Sequence, residues 1–211
     1  MKFAVIPVTP FRQNCSLVWC EATGQAALID PGGEPEHLLA AVARHGLNLD
    51  RILLTHGHID HVGAAGVLAE RLGIAIEGPQ REDAFLFDAL PSQCAMFGFP
   101  RTQPFRPGRW LNDGDRVQVG EVGFDVLHCP GHTPGHVVFY QPRARQAFVG
   151  DVLFKGSIGR TDLVGGHHDT LIDSIRRVLF ALDDDVEVYS GHGPITSIGL
   201  ERMTNPFLLG R

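Results

Sequence analysis

Seven consecutive residues, Thr55-His56-Gly57-His58-Ile59-Asp60-His61, constrain this chain more than any other stretch. Four of them, His56, His58, Asp60 and His61, carry imidazole or carboxylate groups of the kind that ligate divalent metals. The cluster directly follows Arg51-Ile52-Leu53-Leu54, an apolar run that reads as a buried strand. It directly precedes Val62 to Leu72, which reads as a helix. In an extended turn His56 and His58 point to the same side, because side chains alternate with period two, so their imidazoles can converge on one ion. Asp60 and His61 sit where the chain enters the helix and can face a second ion beside the first. A lone His-x-His is weak evidence; four good ligands at one strand-to-helix turn point to a metal site.

The 211 residues are enough to bury a sizeable core, and no stretch reads as a linker, so one domain spanning 1–211 is expected. Net charge is -6 and no Lys/Arg run stands out, which argues against nucleic acid as a partner and leaves room for a small anionic substrate. No run approaches the roughly twenty apolar residues of a membrane-spanning helix. The apolar N-terminal stretch is too short for a signal peptide and is broken by Pro7, so a cytoplasmic protein without a membrane partner is expected. The four cysteines lack zinc-ribbon spacing and read as reduced thiols, Cys129 among them as a buried, inert one.

Strands are expected at 2–8, 14–21 and 25–30, with a hairpin turn at Glu21-Ala22-Thr23-Gly24. A helix from Pro35 to His45 stops at Gly46; the strand 51–54, the helix 62–72 and a short strand at 74–76 follow. The stretch 78–110 is the least readable: 81–90 has helical character, while Pro91, Gly98, Pro100, Pro104 and Pro107 imply a long structured loop that can wall a substrate site. Further strands are expected at 116–119, 123–128, 137–140, 147–149 and 186–189. A helix is expected from Thr170 to Leu182, with Thr170 and Asp173 spaced as a capping box. Short meandering strands broken by helices in each half imply two packed sheets with helices outside, and a duplicated architecture.

Three more candidate ligands follow expected strands. His132 lies in Pro130-Gly131-His132, Asp151 follows Val149-Gly150, and His192 lies in Gly191-His192-Gly193. Glycine or proline beside each lets the backbone turn sharply and aim the side chain into a cleft. His136 reads as a supporting residue, His37 and His45 as solvent-facing.

In order, these motifs resemble the metallo-β-lactamase superfamily, from about residue 3 to 195. The resemblance implies an α/β fold: an αβ/βα four-layer sandwich of two mixed β-sheets with helices outside and metals at one edge. It implies His56, His58 and His132 on one metal, Asp60, His61 and His192 on a second, and Asp151 bridging. Two divalent ions are expected, zinc first, with iron or manganese as alternatives. Aspartate at the bridging position is a mark of the hydrolase branch near glyoxalase II. Pro130 to His136 and Gly150 to Phe154 look like that enzyme, hydroxyacylglutathione hydrolase. Gly159-Arg160-Thr161-Asp162 and Thr204-Asn205-Pro206-Phe207 are more similar to its short bacterial relatives. The C-terminal helical region that contributes to glutathione binding has no counterpart in these residues, and the family's glutathione-binding Lys and following Tyr appear as Arg160 and Asp162.

The implied activity is hydrolysis of a glutathione thioester of the S-D-lactoylglutathione type, with a metal-bridging hydroxide as nucleophile. Asp60 and Asp151 are the expected catalytic carboxylates. Lys155 and Arg160 are candidates to hold the carboxylates of glutathione. A thiol of pKa about 8.5 leaves as thiolate without a strong general acid. Persulfide dioxygenases resemble the chain as well and would use a single iron on His56, His132 and Asp151 to act on glutathione persulfide. His136 favours the hydrolase.

Overall fold

Strands of alternating environment build two sheets in the computed structural model, which describes residues 1–209. The first sheet runs in chain order through β1 (Lys2–Val8), β2 (Gln13–Trp19), β3 (Gln25–Ile29), β4 (Asn48–Leu53) and β5 (Ala75–Glu77). β1, β2 and β3 form an antiparallel meander; β4 and β5 are parallel additions reached through α1 (Pro35–Arg44) and the pair α2 (Ile59–Val62) and α3 (Ala65–Leu72). The second sheet holds β6 (Arg116–Val119), β7 (Val122–His128), β8 (Val137–Gln141), β9 (Gln146–Gly150), β12 (Glu187–Ser190) and β13 (Thr196–Ser197), ordered β13-β12-β9-β8-β7-β6. Here too a meander ends in a parallel strand, β12 on β9, reached through α6 (His168–Arg177). Both halves therefore share one plan. A small hairpin of β10 (Leu153–Phe154) and β11 (Ser157–Ile158) and a last helix, α7 (Ile198–Thr204), complete it.

Both faces of each sheet are covered, and the sequence shows it as apolar residues on both pleat faces. Val18, Ala27, Ile29 and Leu53 of the first sheet meet Val117, Phe124, Val126, Phe139 and Phe148 of the second in one buried layer. Their neighbours Leu17, Leu28 and Ile52 point the other way, onto Leu38 and Val42 of α1 and Leu68 of α3. Behind the second sheet, Val138, Ala147, Val149 and Val188 pack on Leu171 and Ile175 of α6. The layers are helix, sheet, sheet, helix, as the resemblance implied. No helix among the described residues is long and apolar enough to cross a membrane. The four cysteines are buried and unpaired, and burial pushes the Cys129 thiol well above its ordinary range.

Several boundaries differ from the sequence reading. The helix expected over 62–72 divides at Gly63, because the Ala64 N–H donates to the Pro31 carbonyl at 3.0 Å instead of up the helix. A Cβ on Gly63 would lie 2.4 Å from the Gly32 carbonyl, so this crossing needs glycine. β4 begins at Asn48, before the expected 51, where Leu49 is already paired with Ala26. The unreadable stretch contains a 3₁₀ turn at Arg81–Asp83, α4 (Ala84–Asp88) and α5 (Leu90–Phe97) before its loop. α6 starts earlier than Thr170: His167 is its cap, its ring nitrogen accepting the Thr170 N–H at 3.2 Å, and no Thr170/Asp173 box forms. The helix also ends at Arg177, before a 3₁₀ turn at Leu179–Ala181.

Candidate metal centre

Every candidate ligand lies just past the end of a strand, on one rim of the sandwich. The Thr55–His61 turn follows β4, His132 follows β7, Asp151 follows β9 and His192 follows β12. Two glycines let these loops close. Gly150 has φ +48°, and a Cβ there would lie 2.4 Å from Thr55 Oγ1 and 2.7 Å from His136 Nε2. A Cβ on Gly191 would lie 2.3 Å from Asp151 Oδ1. Larger residues at either position would displace the groups that form the site.

Six of the seven candidate ligands come together in two clusters. The donor atoms of His56, His58 and His132 lie within 4.8 Å of one another, and so do those of Asp60, His61 and His192. His58 Nδ1 is 3.0 Å from His132 Nε2, and His192 Nε2 is 3.1 Å from Asp60 Oδ2. Asp151 stands between the clusters: Oδ1 is 3.3 Å from His61 Nε2, and Oδ2 is 3.7 Å from both His132 Nε2 and His192 Nε2.

Hydrogen bonds around the rim orient three of the imidazoles through Nδ1. Thr55 has one hydroxyl proton, given to Asp30 Oδ2 at 2.6 Å, so it accepts from His56 Nδ1–H at 3.0 Å. His61 Nδ1–H donates to Asp30 Oδ2 at 2.9 Å, and His132 Nδ1–H donates to the Arg160 carbonyl at 2.7 Å. In each case Nε2 is the nitrogen left facing the clusters, the arrangement in which an outer partner orients a metal ligand. His56 Nε2, His61 Nε2 and Asp151 Oδ1 are buried without a hydrogen-bond partner. An orphaned buried polar atom costs about 1–3 kcal/mol, and these three belong one to each cluster and one to the Asp151 between them. Divalent cations held by the clusters would satisfy them, so the donor set fits metal.

The electrostatics divide the donors: burial would lower the His61 imidazole, but Asp151 and Asp60 outweigh it and hold it well above its ordinary pKa, with a proton that a bound metal would displace. Burial, then the neighbouring imidazoles, holds His56 far below its ordinary pKa and His58 down to about 3, so both offer lone pairs at neutral pH. Burial alone would raise the Asp151 carboxyl, but His61, His132 and His192 outweigh it and hold it below the usual carboxylate range. Asp60 is lowered in the same way by His61 and His192. His136 does not join the donors. Its Nε2 accepts the Asp151 N–H at 3.1 Å and its ring stacks on His56 at 4.7 Å, supporting both.

Three supporting residues escaped the sequence reading. Asp30, after β3, holds Thr55 and His61; its Asp-Pro-Gly-Gly setting has the same glycine-framed strand-end pattern as the ligands, which is the signal that could have found it. Asp83, in the unreadable stretch, accepts from Gly57 N–H, Thr133 Oγ1–H and Gly135 N–H at 3.0, 2.9 and 2.6 Å. Gln93 of α5 accepts the Ile59 N–H at 2.9 Å and donates to the Leu86 and Gly57 carbonyls at 2.9 and 3.3 Å. Of the two candidate substrate cations, Arg160 lines the cavity in front of the clusters, its guanidinium held by both Asp162 oxygens at 2.7 Å. Lys155 is exposed on the β10–β11 turn, outside that lining.

Comparison with known proteins gives the same picture. The profile of the Metallo-beta-lactamase superfamily matches residues 8–192. Hydroxyacylglutathione hydrolase GloC of Haemophilus influenzae is 49% identical over 209 residues, which span 99% of this chain and 98% of that protein. Two solved structures cover nearly the whole chain. TTHA1623 in a di-iron-bound form aligns at TM-score 0.89 and 42% identity, over 97% of this chain and 100% of that one. BLEG-1 B3 metallo-beta-lactamase aligns at TM-score 0.91 and 36% identity, over 99% and 100%. With its strand-end histidines and aspartates disposed to bind divalent metal, the chain belongs to the metallo-β-lactamase superfamily, in its glyoxalase II-like branch.

Proposed function

We propose that the chain is a binuclear metal-dependent hydrolase of a glutathione thioester, of the S-D-lactoylglutathione type. The observation that carries this is the position of Asp151, in reach of both donor clusters at once. His56, His58 and His132 would hold the first metal, Asp60, His61 and His192 the second, and Asp151 both; zinc is the first candidate, with iron or manganese as alternatives. A pair of divalent ions, when bound, supplies a water acidified from about 15.7 towards 7 and a Lewis acid for the thioester carbonyl. Asp60 keeps a carboxylate at the cavity, where it accepts a hydrogen bond from the attacking water and orients it. The departing thiolate, with a parent pKa of about 8.5, needs no proton donor. This suits a cavity whose acidic and imidazole side chains, His58, Asp60, His132, Asp151 and His192, are all taken as ligands. Arg160 is the cation placed to receive a substrate carboxylate, by exchange with Asp162; any part played by Lys155 is long-range. The 49% identical hydroxyacylglutathione hydrolase of H. influenzae supports the thioester assignment.

The test is metal analysis of the purified protein beside two assays. Two equivalents of metal with hydrolysis of S-D-lactoylglutathione is the expected result. One iron, with oxygen uptake on glutathione persulfide and no hydrolysis, would replace this reading with the dioxygenase.

A further inference from the structure

The cavity in front of the clusters has a volume of about 350 Å³, and its lining divides by chemistry. Beside His132 stands Arg160, whose carbonyl that histidine bonds. Beside His192 the wall is aromatic. Phe11, at the tip of the β1–β2 hairpin, accepts a hydrogen bond from His192 Nδ1–H at 3.3 Å through its carbonyl. Its ring meets Phe97 edge-on at 6.1 Å, and the Phe154 ring stands edge-on to His192 at 6.3 Å. Phe11 is 46% exposed, and neither it nor Phe154 belongs to any of the buried clusters. Large aromatic surface held open at a site is the form that apolar recognition takes.

Polar capacity on this side is small. Both N–H groups of the Gln93 amide are spent on Leu86 and Gly57, and its oxygen already accepts from Ile59. The remaining uncharged polar side chain lining the cavity is Ser157. A small hydroxylated acyl group would cover little of the aromatic surface, and its hydroxyl would find few partners. A longer apolar chain would cover the rings without leaving a polar group unpaired.

We infer that Phe11, Phe97 and Phe154 form an acyl-recognition wall, so that the preferred substrates are thioesters whose acyl group is apolar and larger than lactoyl, with Arg160 left to a carboxylate of the thiol half. The inference rests on the hydrolase reading above, and its test separates the two. On the metal-loaded protein, kcat/KM is measured for the acetyl, butanoyl, hexanoyl and lactoyl thioesters of glutathione. Separately, calorimetry gives the affinity of the S-methyl, S-butyl and S-hexyl thioethers, which requires no turnover. Each methylene buried on the wall is worth up to about fourfold, from about 0.8 kcal/mol per CH₂, so both series should climb with length. Phe11→Ser combined with Phe97→Ser should flatten both slopes, with far-ultraviolet circular dichroism confirming the fold. Series that are flat in the wild type, or a preference for lactoyl over butanoyl, would overturn the wall. If no thioester is turned over, the hydrolase reading fails, and the thioether affinities alone still decide the wall.

Discussion

Asp83 offers the sharpest test of how the centre is held together. Its buried carboxylate joins two of the ligand-bearing loops, through Gly57 on one and Thr133 and Gly135 on the other. Replacing it with alanine strands three buried donors, the Gly57 and Gly135 N–H groups and the Thr133 hydroxyl, at about 1–3 kcal/mol each, or about 3–9 kcal/mol together. Against this, burial pushes the Asp83 carboxyl up to about 6 despite those hydrogen bonds. Ionising it in the folded state at pH 7 therefore costs about 3 kcal/mol relative to an ordinary aspartate near 4, a cost the substitution removes. The two effects oppose each other, and Asp83→Ala should lower global stability by no more than about 6 kcal/mol. Metal affinity has no such compensation: loosening an outer partner of metal ligands typically costs about 10–100-fold. The sign of the pH dependence follows from the raised pKa. Stability from protonated Asp83 is fully present below about 4 and is lost as pH rises through about 6. The wild-type advantage over the variant, measured by urea unfolding of the metal-free proteins, should thus shrink by about 1 kcal/mol between pH 5 and 7. Chelator competition gives the metal affinity. Wild-type affinity in the variant, or a stability difference that does not change with pH, would refute the reasoning.

Other perturbations probe neighbouring parts of the site. Asp151→Ala should abolish thioester hydrolysis and reduce bound metal at both positions; full activity with two equivalents retained would remove its bridging role. Gly150→Ala places a Cβ at φ +48°, 2.4 Å from Thr55 Oγ1. Strain of about 1–2 kcal/mol from the backbone alone, plus displaced ligands, should lower both the melting temperature and the metal content. Asp30→Ala frees the His61 ring and the Thr55 hydroxyl, so metal stoichiometry should fall towards one per chain while the fold, read by circular dichroism, persists. Converting Lys155 and Arg160 together to alanine should raise KM with little change in kcat; an unchanged KM would mean that the carboxylates of glutathione are recognised elsewhere.

Which parts of this centre could be read from sequence follows from where each group's partners lie. His56, His58, Asp60 and His61 are neighbours in the chain, and a strand before them and a helix after them set their directions locally. His132, Asp151 and His192 carry the same glycine-framed strand-end signature, so their convergence was legible too. The layer order was legible because both sheets are covered on both faces, which leaves apolar residues on successive positions of the strands. Features set by contacts from distant parts of the chain were not. The break between α2 and α3 depends on the carbonyls of Pro31 and Gly32, which no pattern within 62–72 encodes. Asp83 sits in the part of the least readable stretch that has only helical character to mark it, and its partners lie 26, 50 and 52 residues away. The ligand motif thus names the donors but leaves their spacing open. His58 and His132 stand 3.0 Å apart, and Asp83 ties the Gly57 amide next to one to the Thr133 hydroxyl next to the other. That tie belongs to the segment least readable in the sequence, which is why substitutions there should be read first through metal affinity and only second through stability.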